Sequence, residues 1–582
     1  MLQRAAAAAA PKRWWLANSG SAPLLAPAYA AHQRSVPRLP IPPLGETLER
    51  YLRAAQPLQT LEEHAATRAA VAQFFDTDGP GLQRLLEEAD AALPHDSSYL
   101  ESLWYRLAYL GPRSPVPIHA NPCFTLAPPS RHTPPLERAA GLLAKAAQWA
   151  HALRTGTLTA PTAKGGSPLC MALLPAVLGT ARIPRQGCDV LHSASAPDAA
   201  ANKHQDASAR GASFSAGAPL PPATLLDSLK QLPPAAAHAP AVGALTAWRR
   251  DEWAEARAAL SSSPQNESSL KAIDEDGAQV VSLASHLAEA GEHEAGEHEA
   301  GGRRPAARAA PPRRLRFDVS PELGAKAAAL DLDTATVRSV SASWAKGRGV
   351  SLDGVVQLSF QLAHRRLTGG LSSTYEACST QSFSHGRTEA AAVPCLLSHL
   401  PRHSHSRSCW PKVIRPVTRE SAALLQRLEE GDADAAALRA ALDAQRRLVA
   451  DCQRGKGHGR GTASFLDLSW TFPERLAAEE AGMPTPGLFR DSGWATVTAS
   501  LVSTSGLRSP ALGWFAFGPV ARQGVGLGYL LSPDGVALCA TSFRGSGAPR
   551  AADLAAAVDE ACTTLRGAVE TLIPAPQPTS KL

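Results

Sequence analysis

The sequence predicts a globular protein that mixes helices and strands and is large enough for two domains. At 582 residues, of which 44% are apolar, the chain can bury two cores of ordinary size that share one interface. Apolar residues recur at helical spacing in several segments, and alternating or glycine-rich segments typical of strands lie in the same chain. Both kinds of element are therefore expected.

Composition argues against several classes of function. The net charge of +6 is modest for this length, so it gives no argument for nucleic acid as a partner. No apolar run approaches the roughly 20 residues of a transmembrane helix, and none is expected. The nine cysteines are scattered, with no C-x-x-C pair and no Cys/His cluster. This pattern is typical of reduced thiols inside a cell and argues against a zinc site.

The two ends of the chain carry candidate targeting signals. Residues 1–38 contain five basic residues and no acid, which is typical of an organellar transit peptide, although a disordered tail has a similar composition. The tail at 574–582 is proline-rich and ends in Ser580-Lys581-Leu582, the tripeptide that the peroxisomal import receptor reads. We therefore expect that receptor as a partner and the peroxisome as the location, with the mitochondrion as the second choice.

Several elements of the N-terminal half follow from local signals. Thr47 is placed to cap a helix that continues through Leu52. From 193 to 236 the chain has few large apolar residues and much Ala, Ser, Pro and Gly, which predicts a mobile insertion. Residues 284–314 contain the repeated string Ala-Gly-Glu-His-Glu and a basic Pro/Ala run, which predict a low-complexity linker.

The C-terminal half reads as further helices and strands. Apolar and polar residues alternate at 315–319, which predicts a strand. Residues 355–366 have one apolar face and predict a helix. One or two helices broken near Gly431 are expected at 419–451. Gly526, the middle one of three alternating glycines, would let a strand approach a substrate closely.

The stretch at 372–389 is dense in hydrogen-bond donors and holds no nucleophile–base pair. It predicts a surface that grips a polar substrate, with an exposed Ser/Thr-rich loop as the alternative. The stretch resembles the signature of the carnitine/choline acyltransferases through Thr374-Tyr375-Glu376, Ser379-Thr380 and Gly386-Arg387-Thr388-Glu389. Further pieces that resemble the family, in the family's order, are Asn121-Pro122, residues 167–171 and 178–184, Ser503-Thr504-Ser505 and Phe517-Gly518-Pro519.

The resemblance implies an α/β fold of two similar domains of the CoA-dependent, chloramphenicol acetyltransferase-like acyltransferase type, with the active site between them. The N-terminal region would span 39–283 and the C-terminal region 315–573, on either side of the linker at 284–314. It also implies reversible acyl transfer between acyl-CoA and the hydroxyl of carnitine. Coenzyme A would be a substrate, and no other cofactor or metal is expected.

The resemblance also assigns candidate residues for carnitine and for the reacting carbonyl. Tyr375 and Thr388 match residues that hold the carboxylate of carnitine in the family. Thr388 favours carnitine over choline, which has no carboxylate. Arg460 and Ser503 are further candidates for carnitine binding. Ser505 matches a hydroxyl that donates a hydrogen bond to the developing oxyanion.

A basic turn and one phenylalanine complete the candidate substrate sites. The turn resembles the family's Lys-rich stretch that holds the phosphates of CoA, which gives the candidates Lys346, Arg348, Ser351 and Asp353. Phe515 lies where family members that accept longer acyl chains have glycine and acetyl-specific members have methionine. A phenyl ring at that position implies a short-chain, acetyl-like preference.

The family's general base is a histidine in the setting Glu-His-x-x-x-(Asp/Glu)-Gly. His293 follows Glu292 and precedes Glu297 by four residues, but no glycine follows that acid, and His286 and His298 fit no better. His293 is the provisional catalytic candidate, and a solvated histidine in a linker is the alternative. Since the segment that should carry the base is missing or degraded, a non-catalytic relative that binds carnitine or acyl-CoA is the alternative function.

Overall fold

The protein is an α/β structure centred on a six-stranded mixed sheet. A computed structural model describes residues 25–94, 97–98, 110–111, 113, 115, 123–127, 133–163, 165–172, 174–176, 180–193, 220–232, 242–276, 317–377, 381–385, 413–453 and 486–574. The elements, contacts and burial given for the protein refer to these residues.

The strands of the described residues form one large sheet and two strand pairs. In chain order they are β1 (Cys123–Leu126), β2 (Thr180–Ile183), β3 (Val190–Ser193), β4 (Leu330–Val337), β5 (Thr374–Ala377), β6 (Val413–Ile414), β7 (Val502–Leu507), β8 (Leu512–Ala516), β9 (Val525–Leu531) and β10 (Val536–Phe543). The large sheet has the order β4-β10-β9-β7-β5-β6, while β1 pairs with β8 and β2 pairs with β3.

The three central strands β5, β7 and β9 run parallel, and the outer strands pair antiparallel with their neighbours. Parallel neighbours require long crossover connections. Within the described residues, the connection from β5 to β7 carries β6 and three α-helices, and the connection from β7 to β9 carries β8. As a result β8 leaves the large sheet and pairs with β1, which comes from the N-terminal half of the chain.

The described residues contain fifteen α-helices. In chain order they are α1 (Ala30–Ser35), α2 (Leu44–Ala55), α3 (Leu61–Asp76), α4 (Gly79–Ala91), α5 (Pro135–Thr155), α6 (Pro222–Lys230), α7 (Arg250–Leu260), α8 (Pro264–Asp276), α9 (Pro321–Ala327), α10 (Ala342–Arg348), α11 (Leu352–Thr368), α12 (Arg419–Glu430), α13 (Ala435–Gln453), α14 (Ser492–Thr498) and α15 (Ala551–Leu572). Among the described residues, no helix combines the length and apolar character needed to cross a membrane.

One face of the sheet, which we call the helix face, packs against α11 and α15. Val525, Leu527 and Tyr529 of β9 point into this core and are fully buried. Phe360 of α11 meets Tyr529 edge-on, with ring centroids 5.2 Å apart. Each such buried side chain contributes about 1.5–3 kcal/mol of transfer free energy, so this face supplies the largest core of the protein.

The opposite face, which we call the ribbon face, is covered by the β1–β8 pair. Side chains alternate between the two faces along a strand, and Leu507 of β7 and Leu530 of β9 pack here with Phe515 of β8. Gly528 permits this close approach, because a Cβ at that position would overlap the carbonyl of Phe515. The ribbon therefore lies directly on the glycine-containing strand β9.

The N-terminal helices are fastened to the C-terminal half by an aromatic cluster. Tyr51 of α2 and Phe489 both pack against Trp494 of α14, with ring centroids 5.9 and 5.1 Å apart. Thr67 of α3 donates a hydrogen bond to Asp491 at 2.6 Å. This cluster and the β1–β8 pair are two of the places where the halves of the chain meet.

Two helix predictions are confirmed and one helix boundary is wrong. α11 includes the predicted segment 355–366, and α12 and α13 are separated at Gly431, which has a left-handed φ of 78°. Thr47, however, does not cap its helix. α2 begins three residues earlier, after Pro43, and the side chain of Thr47 is buried against the core.

The predicted strand at 315–319 is wrong over its described part, residues 317–319. These residues form no strand, and the next strand begins at Leu330. The physical reason is a side chain that takes the place of a neighbouring strand. The amide of Asn266 accepts from the backbone N–H of Asp318 and donates to its carbonyl, both at 2.6 Å.

The predicted mobile insertion at 193–236 is too long at its C-terminal end. Residues 222–230 form α6, whose Leu225 and Leu229 are buried against α5. Leucines four residues apart lie on one face of a helix, which is enough to dock this short element. Residues 194–219 of the predicted insertion, and the predicted linker at 284–314, lie outside the described residues.

Candidate functional site

Three candidate residues lie together on the ribbon face of the central strands. Thr504 of β7 reaches the helix face, where its Oγ1 accepts a hydrogen bond from Gln357 of α11 at 2.9 Å. Because side chains alternate along a strand, Ser503 and Ser505 point to the ribbon face. Tyr375 of β5 points to the same side, where it belongs to the cluster around Phe515.

The register of the strands fixes the spacing of these groups. Tyr375 is the direct partner of Ser503 across the β5–β7 pair, and Ser505 is the partner of Gly528 across the β7–β9 pair. Neighbouring strands lie about 4.8 Å apart, and residues two apart on one strand lie about 6.6 Å apart. A phenol and two hydroxyls therefore cover an area about the size of a small polar molecule.

The two serines differ in their hydrogen bonding. The hydroxyl of Ser503 donates to the carbonyl of Ser500 at 3.4 Å. Within the described residues, the hydroxyl of Ser505 has no hydrogen-bond partner, although its residue is only 4% exposed. A buried hydroxyl without a protein partner is suited to donate to an oxygen of a bound substrate.

A buried arginine stands next to this group. Ile414 of β6 pairs with Glu376 of β5, and continuing the register by one residue brings Arg415 opposite Tyr375. The Arg415 guanidinium is buried and donates from Nη1 to Oγ of Ser500 at 3.0 Å. Ser500 itself has a left-handed φ of 48°, which is strained for a residue with a side chain. The site thus has a positive charge at its β6 side.

A pair of carboxyl groups, the buried Glu376 and the half-buried Asp353, lies on the helix face beneath Tyr375. Glu376 is hydrogen-bonded to Asp353 of α11 and accepts from Nε2 of Gln445 at 2.6 Å. Burial, and then the charge of Asp353, raise the pKa of Glu376 well above its ordinary value. Two carboxyl groups can share a hydrogen bond only when one holds a proton, so Glu376 keeps its proton to a higher pH than an ordinary glutamate does.

This network continues through a glutamine to the strands of the site. Nε2 of Gln357 donates to the hydroxyl of Tyr529 at 3.0 Å as well as to Thr504, and Tyr529 donates to Asp353 at 2.8 Å. Thr504 in turn donates to the backbone carbonyl of Tyr375 at 2.8 Å. Buried networks of this kind hold neighbouring strands in one arrangement, and here they position the backbone of β5 against β7.

The basic turn predicted to hold CoA lies between two helices. α10 carries Lys346 and Arg348 in its last turn and ends at Gly349, whose φ is 68°. Ser351 then caps α11 by accepting from the N–H of Gly354 at 3.1 Å. Two cations beside the positive end of a 17-residue helix provide a favourable place for an anionic group.

Contacts connect this turn to Ser505. Asp353, in the first turn of α11, holds the hydroxyl of Tyr529, and the ring of Tyr529 lies against Gly506. A Cβ on Gly506 would stand 2.5 Å from that ring, so only glycine fits beside Ser505. Among the predicted CoA residues, Asp353 therefore takes part in the buried network, while Lys346 and Ser351 are exposed.

Phe515 lies above the strand next to Ser505. Its ring is 1% exposed and stacks on the ring of Phe124 of β1, with centroids 5.1 Å apart and planes 12° apart. Its carbonyl lies over Gly528, the register partner of Ser505. The predicted acyl-pocket residue and the predicted oxyanion donor are thus neighbours on one face.

The family described as "Choline/Carnitine o-acyltransferase" matches residues 39–304, 275–394 and 411–560, which together make up well over half of the chain. The chain belongs to this acyltransferase family. The resemblance seen in the stretch at 372–389 and in the Ser-Thr-Ser string at 503–505 is confirmed.

Relatives within the acyltransferase family cover nearly the whole chain. It is 24% identical to carnitine O-acetyltransferase of Columba livia, over 93% of this chain and 94% of that protein. It is 25% identical to mitochondrial carnitine O-palmitoyltransferase 2 of Homo sapiens (89% and 90%), and 26% identical to peroxisomal carnitine O-octanoyltransferase of Mus musculus (88% and 93%). These similar identities do not favour one acyl length.

Three candidate residues lie outside the described residues. They are Thr388, Arg460 and the provisional base His293. The structure brings together Tyr375, Ser503 and Ser505, with Phe515 beside them, and it connects the basic turn to them through Tyr529.

Two residues beside the candidate site, Arg415 and Phe124, lie in no recognisable motif. Arg415 lies in the short run Val-Ile-Arg-Pro-Val, and a lone arginine in an apolar run was the available signal. Phe124 gave no local signal. Its place opposite Phe515 follows from a pairing between distant parts of the chain.

Proposed function

We propose that this protein transfers acyl groups reversibly between acyl-CoA and the hydroxyl of carnitine, with a preference for short acyl chains. The observation that carries the proposal is the register of Tyr375 beside Ser503, with Ser505 on the same face of the same strand. This arrangement offers donors for a carboxylate next to a donor for a reacting carbonyl oxygen. Membership of the acyltransferase family supports the reaction class.

In the proposed reaction, carnitine lies along the ribbon face with its carboxylate toward Tyr375, Ser503, Thr388 and Arg460. The carnitine hydroxyl attacks the thioester carbonyl and forms the new C–O bond as a histidine, provisionally His293, accepts its proton. Ser505 donates to the oxyanion of the tetrahedral intermediate. The C–S bond then breaks, and the proton passes to the thiolate of CoA.

Coenzyme A is the acyl donor in this proposal and acts as a substrate, and no further cofactor or metal takes part. Its phosphates would meet Lys346 and Arg348 at the positive end of α11. Ser351 and Asp353 would line the same approach. The proposed architecture is that of the chloramphenicol acetyltransferase-like family, with two similar domains and the active site between them.

The short-chain preference is proposed from the ring of Phe515. It is buried, and its backbone lies over the strand next to Ser505, where an acyl tail would begin. A phenyl ring in that place competes with a long tail by overlap. Activity with palmitoyl-CoA above that with acetyl-CoA would contradict this part of the proposal.

For location we propose the peroxisome, with the mitochondrion as the second candidate. The C-terminal Ser580-Lys581-Leu582 string supports the first. Relatives named as peroxisomal and as mitochondrial proteins are both similar to this chain.

The function is tested by measuring release of the CoA thiol from acetyl-CoA by the full-length protein, with and without carnitine. We expect release that depends on carnitine, is much weaker with choline, and falls about 100-fold or more in Ser505→Ala. Equal rates with and without carnitine would overturn the proposal.

A non-catalytic relative that binds carnitine or acyl-CoA is the second candidate, favoured by the Ala/Glu/Gly-rich setting of His293. The repeat supplies a matched control, because His298 has the same two neighbours on each side as His293. Loss of transfer in His293→Ala but not in His298→Ala would support catalysis by His293. Calorimetric binding of carnitine without any transfer would support the binding protein.

A further inference from the structure

We propose that Phe124, from the N-terminal half of the chain, is a second determinant of acyl-chain length and closes the acyl pocket together with Phe515. The inference rests on the proposed acyl transfer. Phe124 is the register partner of Phe515 in the β1–β8 pair. Their rings are stacked with centroids 5.1 Å apart and 12° between the ring planes.

The position of the pair relative to Ser505 is what gives it this role. Gly528 pairs with Ser505, and a side chain at Gly528 would overlap the Phe515 carbonyl. In the proposed arrangement, an acyl group whose carbonyl oxygen faces Ser505 extends along the ribbon face toward the two rings. The tail would meet Phe515 first, because the backbone of Phe515 lies over Gly528, and then Phe124, which stacks on Phe515.

The stacking makes the two rings act as one obstacle. Phe515 is 1% exposed and also contacts Phe517, with ring centroids 5.8 Å apart, whereas Phe124 is half-buried. Removing the Phe515 ring leaves a cavity bounded by Phe124. Removing Phe124 takes away the surface that holds the Phe515 ring in one orientation. Contacting residues of this kind have effects that do not add.

The test compares the full-length wild type with Phe124→Ala, Phe515→Gly and the double variant. The measured quantity is kcat/KM for carnitine-dependent transfer with acetyl-, hexanoyl- and decanoyl-CoA. We expect the decanoyl-to-acetyl ratio to rise about tenfold or more in Phe124→Ala, since each methylene that gains a place in an apolar pocket is worth about tenfold or more. In the double variant the ratio should exceed the product of the two single effects.

Leu126→Ala is the matched control. Leu126 lies two residues further along β1 and packs against the same cluster, but its partner in β8 is Leu512. Leu126→Ala should destabilise the β1–β8 pair and leave the decanoyl-to-acetyl ratio of kcat/KM at its wild-type value. Phe124→Leu should restore most of the wild-type ratio. A ratio in Phe124→Ala within about twofold of wild type, or an equal loss with all three substrates, would overturn the proposal.

The same variants separate this inference from the proposed function. A wild type that transfers no acyl group to carnitine contradicts the function, and the dissociation constant of decanoyl-CoA, measured by calorimetry, then tests Phe124 alone. We expect Phe124→Ala to bind decanoyl-CoA about tenfold more tightly than wild type, with acetyl-CoA affinity changed much less. Equal decanoyl-CoA affinities would overturn the role of Phe124.

Discussion

The two faces of the central sheet are built from alternate residues of the same strands, yet they have different chemistry. On the helix face, β9 presents Val525, Leu527 and Tyr529 to a large apolar core. On the ribbon face, the same strand presents Gly526 and Gly528, beside the hydroxyls of β7. One face fixes the strands in place, and the other uses their fixed spacing to arrange polar groups.

The polar groups of the helix face show how the two faces depend on each other. Gln357, Tyr529 and Thr504 form hydrogen bonds inside the core and end on the carbonyl of Tyr375, whose side chain points to the ribbon face. A substitution on the helix face should therefore act mainly on stability. A substitution one residue away, on the ribbon face, should act mainly on substrate handling.

The largest expected effect is on the helix face. Phe360→Ala removes a fully buried ring that packs against Tyr529, and we expect a loss of about 3–5 kcal/mol in the free energy of unfolding. Urea denaturation measures this loss. A cost below about 1 kcal/mol would show that this face is not the main core.

On the ribbon face, Ser505→Ala should show the opposite behaviour. We expect kcat for carnitine-dependent transfer to fall about 10²- to 10³-fold, because the oxyanion loses its hydroxyl donor. The free energy of unfolding should change by less than about 0.5 kcal/mol, since the hydroxyl has no hydrogen-bond partner in the described residues. Steady-state kinetics and urea denaturation on one preparation test both parts. A loss of stability with unchanged kcat would reverse the roles of the two faces.

Glu376→Gln tests the raised pKa of the carboxyl on the helix face. Its raised pKa means that the folded protein keeps a proton that the unfolded chain loses above the ordinary glutamate pKa, so this group's contribution to stability falls as pH rises toward the folded pKa. The glutamine variant cannot lose that proton. Relative to wild type, it should therefore gain stability between pH 5 and about pH 8. Denaturation at both pH values measures the difference, and a constant difference would show that Glu376 is ionised.

The smallest expected effect is that of Ser503→Ala. Loss of one hydrogen bond to the carboxylate is worth about 1 kcal/mol, so KM for carnitine should rise about fivefold. Because this bond is equal in the ground and transition states, kcat should change little. A lowered kcat at constant KM would place Ser503 at the reacting carbonyl instead.

Local sequence patterns predicted which helices form better than they predicted which distant segments contact one another. The helices α11, α12 and α13 follow from periodicity and from Gly431, because both are properties of a short segment. The strand expected at 315–319 failed, since the side chain of Asn266 satisfies the backbone of Asp318 that a neighbouring strand would have paired. No local pattern reports such a partner from a distant segment.

The residues of the candidate site could be predicted where they lie in recognisable sequence motifs. Tyr375, Ser503 and Ser505 were assigned through the resemblance of their motifs to the family, but their adjacency depends on the register of β5 and β7. Arg415 and Phe124 enter the site only through strand pairing, which joins segments far apart in the chain. Their contribution could not be predicted before the sheet was known.

The most direct test of the division between the faces is a crystal structure of the full-length protein with carnitine and CoA bound. We expect carnitine on the ribbon face, with a carboxylate oxygen within about 3.2 Å of the hydroxyl of Tyr375 or Ser503. We also expect the carnitine hydroxyl to lie on the side of Ser505. Carnitine bound elsewhere on the protein, with the ribbon face unoccupied at saturating concentration, would contradict it.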